Sequence, residues 1–371
     1  MKKYLSILAI AAICGMALTS CDDDDDPASV PANRPVPPGM FVVNAGSYYS
    51  GIDGTLTYIG KDGSIEQKAF YNTNGRSLGG TPNDIVIYGS KVYIVATDEN
   101  TVEVIDKNML TSVKQISTIE LMGEDKGTQP RHLTASGQYV YVSTYAGYVA
   151  AIDTTSLTAA DVYQVGAYPE GMIVSNGYLY SADSSYGNGE NPSISAINLN
   201  TGEVQKITDQ LITNPQSFAE IDGEIYFLDS GLYTDDYSNQ YDAGIRKLEK
   251  GTVEAVADAT LMAANPTAGL IYIINAPYTT PATVPTFYVY NTRTGDRMPF
   301  ISGEDIVSPT AIAVDQGTGN VYIGSYSLDA DTGYAADYNS DGYVMEYTSD
   351  GKLVAKYPVG VDPVAFAFNN K

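Results

Sequence analysis

One short segment returns along this chain at nearly constant spacing: a glycine turn that opens a strand carrying a tyrosine. Its copies are Gly89-Ser-Lys-Val-Tyr-Ile, Gly137-Gln-Tyr-Val-Tyr-Val, Gly177-Tyr-Leu-Tyr, Gly223-Glu-Ile-Tyr, Gly269-Leu-Ile-Tyr and Gly319-Asn-Val-Tyr. The tyrosines stand at 93, 141, 180, 226, 272 and 322, with intervals of 48, 39, 46, 46 and 50 residues. A repeat of about 40–50 residues built from short strands is the pattern of a propeller blade, a small sheet that buries its faces only by stacking on its neighbours.

A second marker keeps the same period. Pro82, Pro130, Pro169, Pro215 and Pro309 each precede an apolar-alternating run, as in Pro82-Asn-Asp-Ile-Val-Ile. Proline fits the first residue of a strand, where no ladder donor is lost. The gap from Pro215 to Pro309 is 94 residues, two periods, and Thr260-Leu-Met-Ala occupies the missing place without its proline. Third strands follow at Val102–Asp106, Val149–Asp153, Ile194–Asn198, Gly244–Leu248, Phe287–Asn291 and Tyr343–Tyr347, and turns such as Asn200-Thr-Gly202 lead to an outer fourth strand. Pro363-Val-Ala-Phe-Ala-Phe368 is a final inner strand without a tyrosine strand after it, and Phe41–Asn44 is a second strand without an inner partner. Joined, the two ends complete one composite blade. The expected fold is all-β, a seven-bladed β-propeller over residues 39–371 whose first blade is closed by the C-terminal strand. No helical periodicity competes with it, and the repeated tyrosines are expected to pack between blades.

The N-terminal segment has a different character. Lys2 and Lys3 precede an apolar run, Leu5 to Leu18, too short for a membrane span and flanked as a signal peptide is. Its ending, Leu18-Thr-Ser-Cys21, resembles a bacterial lipobox, which makes residues 1–20 a lipoprotein signal and Cys21 the lipidated first residue. Asp22 to Asp26 then resemble the acidic tag of surface-exposed lipoproteins in Bacteroidota, and residues 27–38 read as a proline-rich tether. The resulting expectation is an outer-membrane, cell-surface protein that touches the membrane only through its lipid. Loss of Lys2 and Lys3 with the signal leaves 18 basic and 44 acidic side chains, a net charge of −26. Such a balance argues against nucleic acid or anionic lipid as partner, since phosphate binding needs clustered cations. Cys14 leaves with the signal, so no disulfide is expected.

In a propeller, the loops between second and third strands and those leading into each inner strand share one face. Here the former are short at Thr97–Asn100 and Thr144–Gly147 but long at Asp183–Pro192, Ser230–Asp242, Ala276–Pro285 and Tyr326–Asp341. They are rich in tyrosine: Tyr48, Tyr49, Tyr145, Tyr148, Tyr186, Tyr233, Tyr237, Tyr241, Tyr278, Tyr326, Tyr334 and Tyr338. Tyrosine offers large, stiff contact area with a hydroxyl at its tip, which suits recognition, although compact loops also pack their own tyrosines. The inner-strand starts add polar groups near the axis: Asn83, Asp84, Arg131, His132, Glu170, Gln216, Ser217 and Thr310, with Arg76 in the long segment before blade two. His132, the one histidine, reads either as a satisfied hydrogen-bonding residue or as part of the site.

Enzyme signatures are poor. No serine lies in a nucleophile-elbow pattern, and a structural zinc site needs more Cys and His than exist. The chain therefore reads as a non-enzyme that needs no catalytic cofactor, although paired loop carboxylates such as Asp235 and Asp236 leave glycoside cleavage open. Asp337-Tyr-Asn339-Ser-Asp341-Gly342 matches the first half of a calcium loop, but Thr348 replaces its closing acid. Either Asp337, Asn339 and Asp341 hold Ca²⁺, or they form an Asx-rich turn.

The blade pattern P-x-x-[ILMF]-x-[VA]…G-x-[VI]-Y-[IV] covers nearly the whole mature chain and is similar to that of YncE-like seven-bladed propellers. With Cys21, Asp22–Asp26 and the tyrosine-rich loops, the chain resembles the BtuG-type surface lipoproteins of gut Bacteroidota. That resemblance implies capture of cobalamin (vitamin B12) and other corrinoids and their delivery to a TonB-dependent outer-membrane transporter. The ligand would meet Tyr48, Tyr49, Arg76, Asn83, Asp84, Arg131, His132, Tyr145, Tyr186, Gln216, Tyr233, Tyr237, Tyr278, Thr310 and Tyr326. The alternatives are a glycan-binding or adhesion lipoprotein and a propeller lyase or hydrolase.

Overall fold

A computed structural model describes residues 35–187, 190–331 and 336–370. Cys21, Asp22–Asp26, the signal segment and Tyr334 lie outside the described residues. Seven antiparallel sheets follow one another around a ring, the seven-bladed β-propeller expected from the repeat. Inner strands of neighbouring blades pack around the axis in ring order. Blade one is composite. The last strand, Pro363–Asn369, pairs with the first, Gly39–Asn44, which continues through Thr55–Gly60 to Ile65–Glu66. Val42 faces Phe366 and Met40 faces Phe368 in that register, so the two chain ends are held by ladder bonds and by apolar side chains together.

The tyrosine strand is the second of its blade, and alternation places its apolar residues on both faces because both are covered by neighbours. In Lys91–Ala96, Val92 to Val95 are all fully buried. Tyr93, Tyr141, Tyr226 and Tyr272 are buried between blades, as expected, while Tyr180 and Tyr322 are half-buried. A fully buried aromatic side chain contributes on the order of 1.5–3 kcal/mol through the area it removes from water. Each third strand falls where the sequence placed it, within one residue.

Three local features differ from the expectation. The inner strand of blade six is Leu261–Asn265, beginning one residue later than Thr260. Two short helices, Ala69–Asn74 and Thr118–Met122, lie in the connections into blades two and three. At six and five residues they are too short to show a period. The long loop of blade five forms its own hairpin, Leu232–Tyr233 with Gln240–Tyr241, and the loop of blade seven folds Ala336–Asp337 back onto Ser327 and Leu328.

The chain arrives from the face opposite the long loops. Pro37 accepts a hydrogen bond from the Tyr58 hydroxyl at 2.7 Å, and Val36 N–H donates to Asn108 O in the turn between the outer strands of blade two. Val36 also packs on the core of blades one and two, so residues 35–38 form a docked strap.

Candidate ligand-binding face

Each proline that starts an inner strand stands opposite the last residues of its blade's second strand: Pro82 opposite Ala96, Pro130 opposite Thr144, Pro169 opposite Asp183, Pro215 opposite Asp229. The register then shifts. The residues left out of the ladder are Asn83 in blade two, Arg131 and His132 in blade three, Glu170 and Gly171 in blade four, Gln216 in blade five, Thr310 in blade seven and Val364 in blade one. A bulge bends a strand and re-aims the extra side chain. Blade six, which lacks the proline, pairs Leu261 to Asn265 without a shift. Proline and bulge thus deliver one ring of side chains to the rim of the central opening, polar in blades two to five and apolar at Val364.

On blades two to four these side chains form one network. Arg131 Nε donates to Glu170 Oε2 at 3.1 Å, and Arg131 Nη1 donates to Asn83 Oδ1 at 3.2 Å while Asn83 returns a bond to Arg131 O. His132 sits between two carboxylates, with Nδ1 3.2 Å from Asp84 Oδ2 and Nε2 3.5 Å from Glu170 Oε2. The Tyr145 hydroxyl donates to Glu170 Oε1. Asp84 Oδ2 also accepts from the Leu133 N–H at 2.8 Å, and the Ser143 hydroxyl receives the His132 N–H. Only 6% of the Glu170 side chain is exposed.

Burial by itself disfavours a charged imidazole, but hydrogen bonds to Asp84 and Glu170, together with their charges, outweigh it and raise the His132 pKa to about 9. Burial would likewise raise the Glu170 carboxyl. The bond from His132 and the Arg131 charge overcome that penalty and hold it below its ordinary value. Burial and the Glu170 charge push the Tyr145 phenol up, so it stays a donor. At neutral pH the cluster therefore presents two cations bound to the buried Glu170 and the half-buried Asp84, an array with little net charge.

The tyrosines frame this array. Tyr145, Tyr168 and Tyr186 form a triangle with ring centroids 5.3, 6.0 and 5.3 Å apart, and the Arg131 guanidinium lies 4.7 Å from the Tyr145 ring centroid. Further pairs stand around the face: Tyr48 with Tyr49 at 5.5 Å, Tyr233 with Tyr237 at 6.3 Å, Tyr326 with Tyr338 at 4.8 Å. Tyr278 is tied to blade five through its backbone, which bonds Gln240 in both directions. Among the described residues, Tyr48, Tyr49, Tyr186, Tyr237, Tyr278 and Tyr338 expose more than half their surface. Self-packing alone would hide them.

Not every sequence candidate joins the cluster. Arg76 bonds both Glu103 oxygens at 2.8 Å and stacks over Phe70 at 4.9 Å, fastening the helix Ala69–Asn74 to blade two, away from Arg131. Thr310 donates across to Pro363 O, linking blades seven and one. Gln216 turns to Asn214 Oδ1 at 2.6 Å. Tyr168 was missed: it is the residue directly before Pro169, and its position before the inner-strand proline was the available signal.

The acidic loop of blade seven is knitted as a turn. Asp337 Oδ1 accepts from the Asn339 N–H at 2.9 Å, Asn339 Oδ1 accepts from the Ser47 and Ser50 hydroxyls, and Asp341 Oδ2 lies 3.4 Å from Gln67 Nε2. No group of three or more His, Cys, Asp or Glu placed to hold a metal occurs among the described residues.

A family profile described as "Domain of unknown function (DUF5074)" matches residues 38–361. The chain belongs to this family. Its match spans the propeller from the first strand to the lead into the last one, so membership and fold describe the same unit. No curated protein matches the sequence. Among solved structures, the DUF5074 chain is similar to hydrazine synthase of Kuenenia stuttgartiensis, at 16% identity and TM-score 0.57 over 76% of this chain and 88% of that one. It is also similar to a candidate 6-phosphogluconolactonase of Bacteroides fragilis NCTC 9343, at 14% identity and TM-score 0.56 over 92% and 99%. The computationally designed Ika8 protein matches at 12% identity and TM-score 0.50 over 77% and 90%. At these identities the likeness is one of fold alone.

Proposed function

We propose that this propeller is a non-catalytic capture protein for cobalamin and related corrinoids. On this reading it is anchored to the outer membrane through a lipid on Cys21, exposed at the cell surface, and hands its ligand to a TonB-dependent transporter. The supporting observation is the pairing of exposed tyrosine rings with a partly exposed, hydrogen-bonded polar array built on the buried Glu170 at the same rim. A corrinoid is a broad, partly apolar disc fringed with amides. Tyrosine faces match the disc, and the tyrosine hydroxyls and Asn83 match the fringe. Because Arg131, His132 and Glu170 are already fixed by one another, little ordering remains for the ligand to impose.

Calorimetry of the soluble propeller with cyanocobalamin tests this. Nanomolar or tighter binding is expected, and Tyr186→Ala should weaken it by about tenfold or more, the scale on which a central aromatic anchor acts. Absence of heat and of co-elution on gel filtration would rule the reading out. The exposed tyrosine pairs also suit the apolar faces of sugar rings, so a polysaccharide array is the companion experiment; signal there and none with corrinoids selects the glycan-binding alternative.

A further inference from the structure

A cavity of about 430 Å³ is lined by blade one, the end of the long loop of blade seven and the segment leading into blade two. Its floor is apolar and buried, made by Leu56, Phe70, Leu78 and Val361. Among the lining residues the rim carries Asp53 and Asp341 against one cation, Lys68; Arg76, which stacks on Phe70, is neutralised by Glu103. The volume lies within the range of about 300–1,000 Å³ typical of small-molecule sites.

The two rim acids are lightly engaged. Among the described residues Asp53 has no side-chain hydrogen bond or ion pair, and Asp341 accepts only a 3.4 Å contact from Gln67. Lys68 carries its ammonium on a flexible stem at an exposed position, free to turn toward water. The wall is firm where the acids stand. Ser47 and Ser50 bond Asn339, which joins the loop before Asp53 to the loop before Asp341. An apolar floor beneath a rim of excess negative charge, in a chain of net charge −24, selects cations with an apolar body.

We propose that this cavity is a second binding site, for an arylalkyl- or alkyl-ammonium compound, with the apolar body on Leu56, Phe70 and Leu78 and the ammonium between Asp53 and Asp341. Its lining includes none of Arg131, His132, Tyr145, Tyr168 or Tyr186, so either site can fail without the other. Phenethylamine, its uncharged isostere 2-phenylethanol and anionic 3-phenylpropionate serve as probes in saturation-transfer NMR and calorimetry on the whole propeller. Phenethylamine is expected to bind about tenfold tighter than the alcohol, a difference of about 1.4 kcal/mol, with the acid weakest. The exposed pair Asp53→Asn and Asp341→Asn should erase the preference without disturbing the fold, and Leu78→Trp, which fills the floor, should remove binding of all three probes. Tyr186→Ala should leave it intact. Equal affinity for amine and alcohol, or a preference that survives the double substitution, would overturn the proposal.

Discussion

Glu170 accepts from three donors, one each on Arg131, His132 and Tyr145, while almost wholly buried. This coupling makes stability depend on pH in a definite direction. His132 titrates near 9 in the folded chain, above its ordinary 6.5, so its contribution is complete below about pH 6.5 and is lost as pH rises through 9. Urea midpoints should therefore fall between pH 7 and 9.5, by up to about 3 kcal/mol in unfolding free energy, and His132→Gln should flatten that limb. Glu170 acts at the other end: its depressed pKa supports the fold above the ordinary carboxylate range and ceases to do so as pH drops below it. A different residue tests the scaffold. The Tyr93 hydroxyl is buried without a hydrogen-bond partner among the described residues, whereas that of Tyr272 reaches Ser349 O at 3.2 Å. An unsatisfied buried hydroxyl costs roughly 1–3 kcal/mol, so Tyr93→Phe should raise the melting temperature and Tyr272→Phe should lower it.

At the scale of the element, the lead into four of the inner strands repeats a conformation as well as a proline. Thr81, Gln129, Tyr168 and Asp362, each directly before a proline, all hold φ between 49° and 57°. Their carbonyls accept from Thr97, Tyr145, Ser184 and Ala45, the first residues of the facing loops. A left-handed backbone costs an L-residue roughly 1–2 kcal/mol, part of which glycine recovers. Gln129→Gly, at an exposed position, should thus stabilise the chain by about 0.5 kcal/mol in chemical denaturation, and a loss of stability would show that the side chain matters more than the strain. These elements also mark where sequence reading stops. The prolines, third strands and composite blade were legible because each repeats with the blade period. The bulges were not, since a one-residue slip leaves no trace in apolar alternation. Asn83, Arg131, His132, Gln216 and Thr310 were recognisable as candidates from their place after the proline, but that Arg131 and His132 join Glu170 while Thr310 bridges to Pro363 depends on how far each bulge turns. Arg76 misled for a related reason: its partner Glu103 lies 27 residues away in a strand whose side-chain direction only the packed blade reveals.

For the molecule as a whole, closure rests on the last seven-residue strand. Pro363–Asn369 supplies the inner strand of blade one, and its Thr310 and Gly39 contacts join the final blade to the first. Removing residues 362–371 would expose the Gly39–Asn44 edge and the apolar faces of Met40 and Val42. The truncated chain should lose its single cooperative melting transition, and retention of a full-height transition would show that six blades and an open edge suffice. The ring also has a top and a bottom. Residues 35–38 dock on the side remote from Tyr48, Tyr186 and Tyr278, beside Asn108 and Lys61. If the chain hangs from Cys21, as proposed, the fourteen residues from Cys21 to Arg34 are a leash that can reach at most about 50 Å from the docked strap at the back. The tyrosine face then looks outward like an upturned dish, open to whatever drifts in from the medium. To serve a pore in its own membrane the dish must turn over, and the leash length sets how far away that pore can be.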